Sequence, residues 1–409
     1  MNPLQTIKIA VRALRRNKMR SFLTMLGIII GVSAVIAMVA IGEGAKSQVV
    51  DTFASMGTNL LIILPGATTS GGARGGFGSM PTLTWDDLKA IQNEVSAIRY
   101  AVPDLRSAEQ IIGEDQNWTT SIHGTSPDFF IIRNWTISKG ELFTKSDMDA
   151  GNKVVVMGQT VAEKLFGSSA DPVGQTVRIK KVLFQVIGLL EKKGQSTMGQ
   201  DYDDTVFLPY TTFRSKIQGG LQNYLNGIIL ASATTSQDTK KAEKQITNLL
   251  RERHHIQLGT DDDFSIRNLT EMAGAMEAGT KTLTTLLACI AAVSLLVGGI
   301  GIMNIMLVSV TERTREIGLR MAVGARPTNI LAQFLVESLT LSTAGGIIGV
   351  SLGVFVAYWL ANKFSWPLLV RPEIIVLAVG FSALVGIGFG LYPAYKASRL
   401  DPIEALRYE

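Results

Sequence analysis

The sequence predicts a membrane protein with four α-helical spans in a one-plus-three order and a large extracytoplasmic α+β domain between spans 1 and 2. Only 18% of the residues are charged, below the roughly 25% that is usual in soluble proteins, and the mean hydropathy is positive at +0.25. Four runs without Asp, Glu, Lys or Arg exceed the ~18 residues of a candidate span. These runs are Ser21–Gly42, Thr282–Thr311, Ser338–Asn362 and Ile374–Tyr395. The long region between the first two runs has an ordinary soluble composition and can bury a sizeable core.

Residues 1–20 precede the first span and predict a cytoplasmic interfacial helix. Leu4, Ile7, Val11 and Leu14 fall on one helical face, and basic residues such as Lys8 cover the others. Membrane lipids with anionic headgroups would attract this basic surface. A disordered basic tail is the alternative. The first apolar run is too long for a cleaved signal sequence, so we expect it to be an uncleaved signal-anchor.

Lys and Arg residues in short loops predict the orientation. Residues 1–20, 311–329 and 396–409 are rich in Lys and Arg, whereas the short loop 363–373 carries only two such residues. With four spans, the three basic segments lie on one side, so both termini are expected in the cytoplasm and residues 44–279 outside. Because these basic residues flank spans and form no separate patch with aromatic residues, nucleic-acid binding is not expected.

The extracytoplasmic region reads as an α+β mixture. A strand at 59–64 precedes a Gly-rich flexible loop at 66–80, and Thr84 is an N-cap signal for a helix. Further strands are predicted at 98–102, 118–123, 153–157, 175–190, 204–208, 227–231 and 264–267, and further helices at 161–166 and 235–253. The order predicts a βαβ-like frame of 58–113 with 223–267, interrupted by a strand-rich insert at 114–222.

Two over-long helices are expected to connect this region to the bilayer. The predicted domains are the interfacial helix 1–20, span 1 at 21–43, the external domain 44–279 with stalks 44–57 and 268–281, span 2 at 282–310, a cytoplasmic segment 311–329, span 3 at 330–362, a short periplasmic loop 363–373, span 4 at 374–395 and a cytoplasmic tail 396–409.

No catalytic or metal site is predicted. The tetrapeptide beginning at Gly44 lacks the Gly before Lys46 that a phosphate-binding loop needs. The histidines His123, His254 and His255 are interpreted as solvated loop residues, and the aspartates 261–263 as a solvated turn. No Ser/His/Asp set is recognisable in the sequence, although residues distant in sequence could still form one in space.

Small residues at four-residue spacing predict close helix packing within the membrane. Pairs or runs of this kind are Gly27/Gly31, Gly345/Gly349/Gly353 and Gly386/Gly390. Packing within one subunit explains most of them, and Gly27 with Gly31 is also a candidate dimer contact. Glu337, near the cytoplasmic end of span 3, is expected to anchor at the interface or to pair with Arg326.

The segment 311–329, TERTREIGLRMAVGARPTN, is short, amphipathic and basic, and lies between two long apolar runs. It is too polar for lipid and must lie at a membrane surface. Ile317, Leu319 and Met321 could dock on an apolar surface, and Gly318 and Gly324 could permit close approach. The residues alone leave two interpretations open, namely a coupling element for a soluble partner or a surface helix that anchors the loop.

Three stretches of this chain resemble the MacB/FtsX-like permease family of ATP-binding-cassette transporters. They are RRNKMRSFLTMLGIIIGVSAVIAMVAIGEG at 15–44, NIMLVSVTERTREIGLRMAVGARPTNILAQFLVES at 304–338 and GLYPAYKASRLDPIEALRYE at 390–409. The resemblance implies a Porter-like frame with a Sabre-like insert and a homodimer in the bacterial inner membrane. It also implies a cytoplasmic ATPase, expected as a separate polypeptide that binds ATP and Mg, so no cofactor is expected in this chain.

The resemblance further implies a periplasmic membrane-fusion adaptor and, in Gram-negative cells, an outer-membrane exit duct. The chain would be a non-catalytic subunit that transmits ATP-driven motion to the periplasmic domain and expels a drug, peptide or other small molecule. A lipoprotein-releasing permease and an FtsX-like signalling subunit are the alternatives. The residues that the resemblance assigns to ATPase coupling are Glu312, Arg313, Arg315, Glu316, Ile317, Gly318, Arg320, Met321, Gly324 and Ala325.

Overall fold

The computed structural model describes residues 18–57, 59–66, 69–70, 73–74, 80–168, 170–195, 199, 201–219, 223–364 and 367–407. The predicted interfacial helix 1–20, apart from its last three residues, and most of the predicted Gly-rich loop 66–80 therefore lie outside the described residues. The chain divides into two compact units, one of Met1–Gln48 with Glu277–Glu409 and one of Val49–Met276.

Helices and strands alternate in the middle of the chain, and long helices occupy both ends. The helices are α1 Lys18–Met56, α2 Trp85–Glu94, α3 Asp128–Ile132, α4 Lys145–Ala150, α5 Gln159–Phe166, α6 Tyr210–Thr212 with a π-turn at Phe213–Gln218, α7 Thr239–Arg253, α8 Leu269–Glu312, α9 Thr314–Ala322, α10 Pro327–Phe364, α11 Pro372–Ser398 and α12 Pro402–Arg407. The strands are β1 Leu60–Pro65, β2 Thr69–Ser70, β3 Ala73–Arg74, β4 Ile98–Ile112, β5 Asn117–Thr125, β6 Ile137–Gly140, β7 Val154–Met157, β8 Thr176–Ile179, β9 Val182–Leu190, β10 Thr205–Pro209, β11 Gly227–Ala233 and β12 Phe264–Asn268.

Four helices are long and apolar enough to cross a membrane, namely α1 over Met25–Val50, α8, α10 and α11. The four-span prediction is thus matched by four continuous helices. Helix α8 has 44 residues and is about 66 Å long at 1.5 Å per residue, roughly twice a ~30 Å hydrocarbon core. Helix α1 ends at Gly57, whose φ of +112° is a backbone conformation that glycine adopts without strain.

Small residues let α10 and α11 pack closely, as the glycine spacing predicted. A Cβ on Gly386 would lie 1.9 Å from the Oγ of Ser342, and one on Gly390 would lie 2.1 Å from the Oγ of Ser338. Both serines are fully buried and donate their hydroxyls to carbonyl oxygens of their own helix. Their polar atoms are therefore satisfied inside the helix pair.

Gly27 and Gly31, the candidate dimer contact, lie against another helix of the same chain. A Cβ on Gly27 would lie 2.8 Å from the Cα of Gly298, and one on Gly31 would lie 2.8 Å from the Cγ of Leu295. Gly298 and Leu295 belong to α8 of the same chain. The two glycines thus bring α1 and α8 together within one subunit, the alternative that the spacing also allowed.

The second unit is built on one mixed sheet, in the order β12-β1-β11-β4-β5-β10-β7-β9-β6, with β8 paired to β4 and β9. Strand β1 is antiparallel to β11 and β12, and β11 is antiparallel to β4. The first four strands in this order, with α2 and α7 as crossovers, form two split βαβ units in a ferredoxin-like arrangement.

The predicted frame and insert occupy separate halves of this sheet. Every strand from β5 to β10 lies within 114–222, and these strands follow β4 without interruption in the sheet order. The β4–β5 hairpin joins the two halves through eight residue pairs from Leu105–Gly124 to Ile112–Asn117. The insert therefore extends the sheet of the frame. The single strand predicted at 175–190 is instead a hairpin of β8 and β9, which turns at Lys180 with a φ of +54°.

The two faces of the sheet pack into separate cores, because successive side chains of each strand point to opposite faces. Along β1, Leu61 and Ile63 pack on the same side as α2 and α7, while Leu60 packs on the side of α3 with Phe129 and Phe207. This is the two-residue periodicity of a strand covered on both faces. The predicted N-cap at Thr84 is confirmed as a capping box with Asp87.

Candidate functional site

Helix α9 is set apart from the long helices on either side by local backbone features. Arg313 interrupts the helical run before it with φ −105° and ψ 14°. After it, the Gly324 amide donates to the Met321 carbonyl and the Ala325 amide donates to the Arg320 carbonyl, both at 3.0 Å. With Gly324 at a φ of +103°, this is a Schellman motif, which terminates a helix where glycine is available.

Gly324 thus has a role in ending α9 that the prediction did not include. Apart from its chain neighbours, no atom of the described residues lies within 4 Å of the position that a Cβ on Gly324 would take, so the residue is needed for its backbone angle. Close approach occurs instead at Gly318, where a Cβ would lie 2.7 Å from the Cβ of Ala405. Gly318 therefore seats α12 on α9.

Ile317 also differs from its predicted role. It is 1% exposed and belongs to the core that includes Ile330 and Phe334 of α10. In this structure Ile317 packs α9 onto its own chain and is not available to a partner. The docking of Ile317 on a partner stays a prediction, and this structure gives the residue a role in the core of its own chain.

Two arginines bind α9 to α10. The Nη1 of Arg313 lies 3.3 and 3.4 Å from the two carboxylate oxygens of Glu337, and the Nη1 of Arg320 donates to the Oε1 of Gln333 at 2.9 Å. Arg320 also pairs with Glu316 one helical turn away. The expected pairing of Glu337 with Arg326 is replaced by pairing with Arg313. Glu337 is buried, so the ion pair stabilises a charge that would be costly alone.

The opposite side of α9 is open and apolar. Leu319 is 56% exposed, Val323 82% and Ile403 of α12 72%. Arg315 and Arg326 of the same part of the chain are also exposed. We call the surface formed by Leu319, Val323, Ile403, Arg315 and Arg326 the α9–α12 face. The sequence predicts Arg315 and Leu319 as docking residues but not Val323 or Ile403, because the positions of these two depend on how the short helices pack.

A cavity of about 650 Å³ opens between these elements and the end of α11. Its lining residues come from two separate parts of the sequence. They are Met321, Ala325, Pro327, Thr328, Leu331, Tyr395, Ser398, Arg399, Leu400 and Pro402. Two of the predicted coupling residues, Met321 and Ala325, thus reach the cavity. Two others, Glu312 and Glu316, are exposed.

Two of the three histidines lie in ionic networks, contrary to their interpretation as solvated loop residues. His123 is buried, and its Nδ1 lies 2.6 Å from the Oδ1 of Asp104 while its Nε2 lies 3.2 Å from the Oγ of Ser121. Arg106 donates to the other oxygen of Asp104 at 2.7 Å. Burial alone would raise the pKa of Asp104, but the charges of His123 and Arg106 outweigh it and hold this pKa at about 2.

His254 lies between the carboxylates of Asp87 and Asp263, so Asp263 is part of an ionic cluster and not only of a solvated turn. His255 is exposed, as predicted. Within the ranges that the structure describes, no group of three or more His, Cys, Asp or Glu side chains is arranged to hold a metal ion.

Comparison with known proteins covers nearly the whole chain. Residues 21–249 match the family model of the MacB-like periplasmic core domain, and residues 288–402 match that of the FtsX-like permease C-terminal domain. A macrolide export ATP-binding/permease protein MacB from Marinobacter nauticus is 44% identical over 405 residues, which are 99% of this chain and 61% of that protein. A protein of the same name from Syntrophobacter fumaroxidans is 41% identical over 456 residues, covering 99% of this chain and 64% of that protein.

The chain thus spans about three fifths of the length of these curated relatives. Among solved structures, the periplasmic region of MacB from Actinobacillus actinomycetemcomitans aligns with 56% of this chain and 98% of its own, with 24% identity and a TM-score of 0.45.

The first family model covers more than half of the chain, and the second covers α9, α10 and α11 and ends at the first residue of α12. Together with four helices of spanning length, these matches identify a multi-pass membrane protein. The chain belongs to the family of MacB-like permeases with an FtsX-like C-terminal domain.

Proposed function

We propose that this chain is the permease of a MacB-type ABC exporter, and that an ATPase docks on the α9–α12 face. The observation that carries the proposal is the two-sided character of α9. Arg313, Gly318 and Arg320 fix the helix to its own chain, while Leu319 and Val323 stay exposed. A helix held in this way can pass a displacement on to α10, and its apolar face can be covered by a soluble partner.

The direction of transport follows from the proposed orientation. The basic segments around α9 and after α11 support an orientation with the α9–α12 face in the cytoplasm and the unit Val49–Met276 in the periplasm. ATP and Mg are bound by the ATPase, and this chain works as a homodimer without catalysis of its own. The exported molecule is of the macrolide class named for the relatives, and leaves through a membrane-fusion adaptor and an outer-membrane duct.

Docking is tested by recovering the complex of this chain with its ATPase from detergent. Arg315→Glu with Arg326→Glu reverses two exposed charges of the face and leaves the contacts of Arg313 and Arg320 intact. We expect recovery of the ATPase to fall at least about tenfold, a loss of ~1.4 kcal/mol of binding. Lys89→Glu with Lys241→Glu, two charge reversals in the other unit, is the matched control. Undiminished recovery with the first pair would overturn docking at this face.

Orientation is tested with single cysteines in a Cys289→Ser background, because Cys289 is the only cysteine. Val323→Cys and Leu258→Cys place thiols at two exposed positions, the second fully exposed. An impermeant thiol reagent added to intact spheroplasts is expected to label position 258 and not position 323. Labelling at 323 alone would reverse the proposed topology.

Transport is tested by measuring macrolide susceptibility of cells that produce the chain with its ATPase and adaptor. A several-fold rise in the inhibitory concentration, lost when the ATPase cannot hydrolyse ATP, is the expected result. An unchanged inhibitory concentration with all three proteins present would exclude macrolides as the substrate. The purified chain alone is expected to hydrolyse no ATP.

A further inference from the structure

The loop that joins α10 and α11 is seated on α1 through backbone contacts. The carbonyl oxygen of Pro367 occupies a position 2.2 Å from where a Cβ on Gly44 would be. The amide of Leu369 donates to the carbonyl of Ala40 at 3.2 Å. Only glycine at position 44 permits this approach, because any side chain would meet the Pro367 carbonyl. We call residues 367–371 the strap.

Charged side chains continue the contact around the strap. The Nη2 of Arg371 lies 3.0 Å from the Oε2 of Glu43. On α8, the Oε1 of Glu277 lies 2.7 Å from the Nζ of Lys46. These side chains are between about one third and somewhat more than one half exposed, so each pair is weak by itself. Because Glu43 and Lys46 lie within one turn of α1, this part of α1 meets both α8 and the strap.

Gly42 completes the meeting point on the side of α8. A Cβ on Gly42 would lie 2.5 Å from the Cγ2 of Thr284. The run Gly42-Glu43-Gly44 thus contacts two neighbouring elements. Gly42 packs against α8, Gly44 packs against the strap, and Glu43 forms an ion pair with Arg371 of the strap. In the sequence, this run marks only the end of the first apolar stretch.

Helix α10 is connected to the start of α9 at one end and to the strap at the other. Glu337, in its first half, holds Arg313 at the start of α9, and its last residue, Phe364, precedes the strap in the chain. Helix α1 continues past the strap contact to Met56. A displacement of α9 can therefore reach α1 through α10 and the strap.

We propose that the strap is a mechanical link that couples α10 to α1 at Gly44, and that exporter motion passes through it. The proposal rests on the proposed function for its purpose, while the contact itself does not depend on an ATPase. Gly44 and Arg371 are positioning residues of this link, and Glu43 is the partner that orients Arg371.

The contact is tested by hydrogen exchange of the strap in the full-length chain in detergent. Gly44→Ala adds only a Cβ and is expected to displace the strap, so that the Leu369 amide, which donates to the Ala40 carbonyl, exchanges at least about tenfold faster. Gly279→Ala is the matched control, because a Cβ at Gly279 in α8 meets no atom of the described residues within 4 Å. Both changes raise helix propensity equally. Equal exchange of the strap in Gly44→Ala and Gly279→Ala would overturn the contact.

The coupling role is tested by exchanging the charges of one ion pair. Glu43→Arg and Arg371→Glu each place like charges together and are expected to lower transport several-fold, and the double variant is expected to recover most of it. ATPase recovery should be normal in all three variants. Transport at the wild-type level in Gly44→Ala, or no recovery in the double variant, would overturn the coupling role.

These outcomes separate the two proposals. If the ATPase does not bind the wild-type chain, the proposed function fails, while the exchange experiment still reports on the strap. If the ATPase binds and transport occurs, unaltered transport in the strap variants refutes only the link.

Discussion

The Nε2 of His254 lies 3.1 Å from the Oδ2 of Asp87, a residue 167 positions earlier in the chain. The Nδ1 of the same ring lies 2.7 Å from the Oδ1 of Asp263. Because ionised carboxylates only accept hydrogen bonds, both ring nitrogens must carry protons for both bonds to form. The ring is thus held as an imidazolium, and it connects the start of α2, the end of α7 and the residue before β12.

This cluster predicts a pH dependence of stability. The hydrogen bond to Asp87 raises the pKa of His254, Asp263 adds to the rise and burial opposes it. Because the pKa of His254 is higher in the folded chain, the protonated ring adds to the free energy of unfolding. This contribution is fully present below the ordinary pKa of 6.5 and is lost as the pH rises through the raised pKa. Burial alone would raise the pKa of Asp87, but hydrogen bonds from His254, Thr84 and Arg253 keep this pKa far below 3.8. The contribution of the Asp87 carboxylate to stability is therefore lost only in acid.

The groups facing His254 are Asp87, Asp263, Arg253, which donates to Asp87 at 2.7 Å, and the edge-on ring of Phe264. We expect the melting temperature of the full chain in detergent to fall as the pH rises above the ordinary histidine value of 6.5 and through the raised pKa of His254. His254→Asn should flatten that fall and lower the melting temperature at about pH 6. His255→Asn is the control, since His255 is exposed at a φ of +53° that asparagine tolerates. Identical pH profiles for His254→Asn and wild type would contradict the imidazolium assignment.

Enlarging Gly318 should separate α12 from α9. Gly318→Val places its Cβ 2.7 Å from the Cβ of Ala405, and overpacking of this kind costs about 1–3 kcal/mol. We expect faster hydrogen exchange across 402–407 and weaker recovery of the ATPase. Ala322→Val, at an exposed position of the same helix, should leave both unchanged. Unaltered exchange in Gly318→Val would show that the two helices do not depend on this contact.

Removing the Glu337 carboxylate should loosen the start of α9. Glu337→Leu leaves the Arg313 guanidinium without its buried partner, which costs about 1–3 kcal/mol for a buried polar group left unpaired. The expected result is a lower melting temperature and earlier proteolysis between α8 and α9. Glu337→Gln keeps an acceptor and should lose less, and Glu316→Gln, on the exposed side of α9, should lose little. Equal losses in Glu337→Leu and Glu316→Gln would contradict this prediction.

The contact of Gly27 with Gly298 predicts that both glycines are needed for the packing of α1 on α8 within the subunit. Gly27→Leu and Gly298→Leu should each lower the melting temperature by several degrees, because the Cβ of Gly27→Leu would lie 2.8 Å from the Cα of residue 298. The mass of the folded fraction in light scattering should not change. A shift of that mass from dimer to monomer at unchanged melting temperature would instead support the dimer-contact prediction for Gly27. Gly301→Leu on the same helix, where a Cβ meets no atom of the described residues within 4 Å, is the control.

The features that the sequence predicts correctly are local along the chain. The four long helices follow from uncharged runs whose length must match a hydrocarbon core, and the helix at 314–322 follows from a polar segment between two such runs. The cap at Thr84 depends on residues three positions apart, and most predicted strands lie near their expected limits. In each case the determining interaction is between near neighbours or with the solvent.

Tertiary structure decided which distant residues meet. The sequence predicts that Gly27, Ile317 and Glu337 lie in helices, but it does not predict their neighbours. In the structure Gly27 meets Gly298, Ile317 packs in the core with α10, and Glu337 pairs with Arg313. Likewise, nothing near His254 in sequence indicates Asp87, and Pro367 meets Gly44 only because α10 and α11 return the chain to α1. Hydropathy and helix propensity can be evaluated from residues that are close in sequence. The partner of each apolar surface is instead determined by close packing, because many such surfaces are equally hydrophobic and differ only in shape.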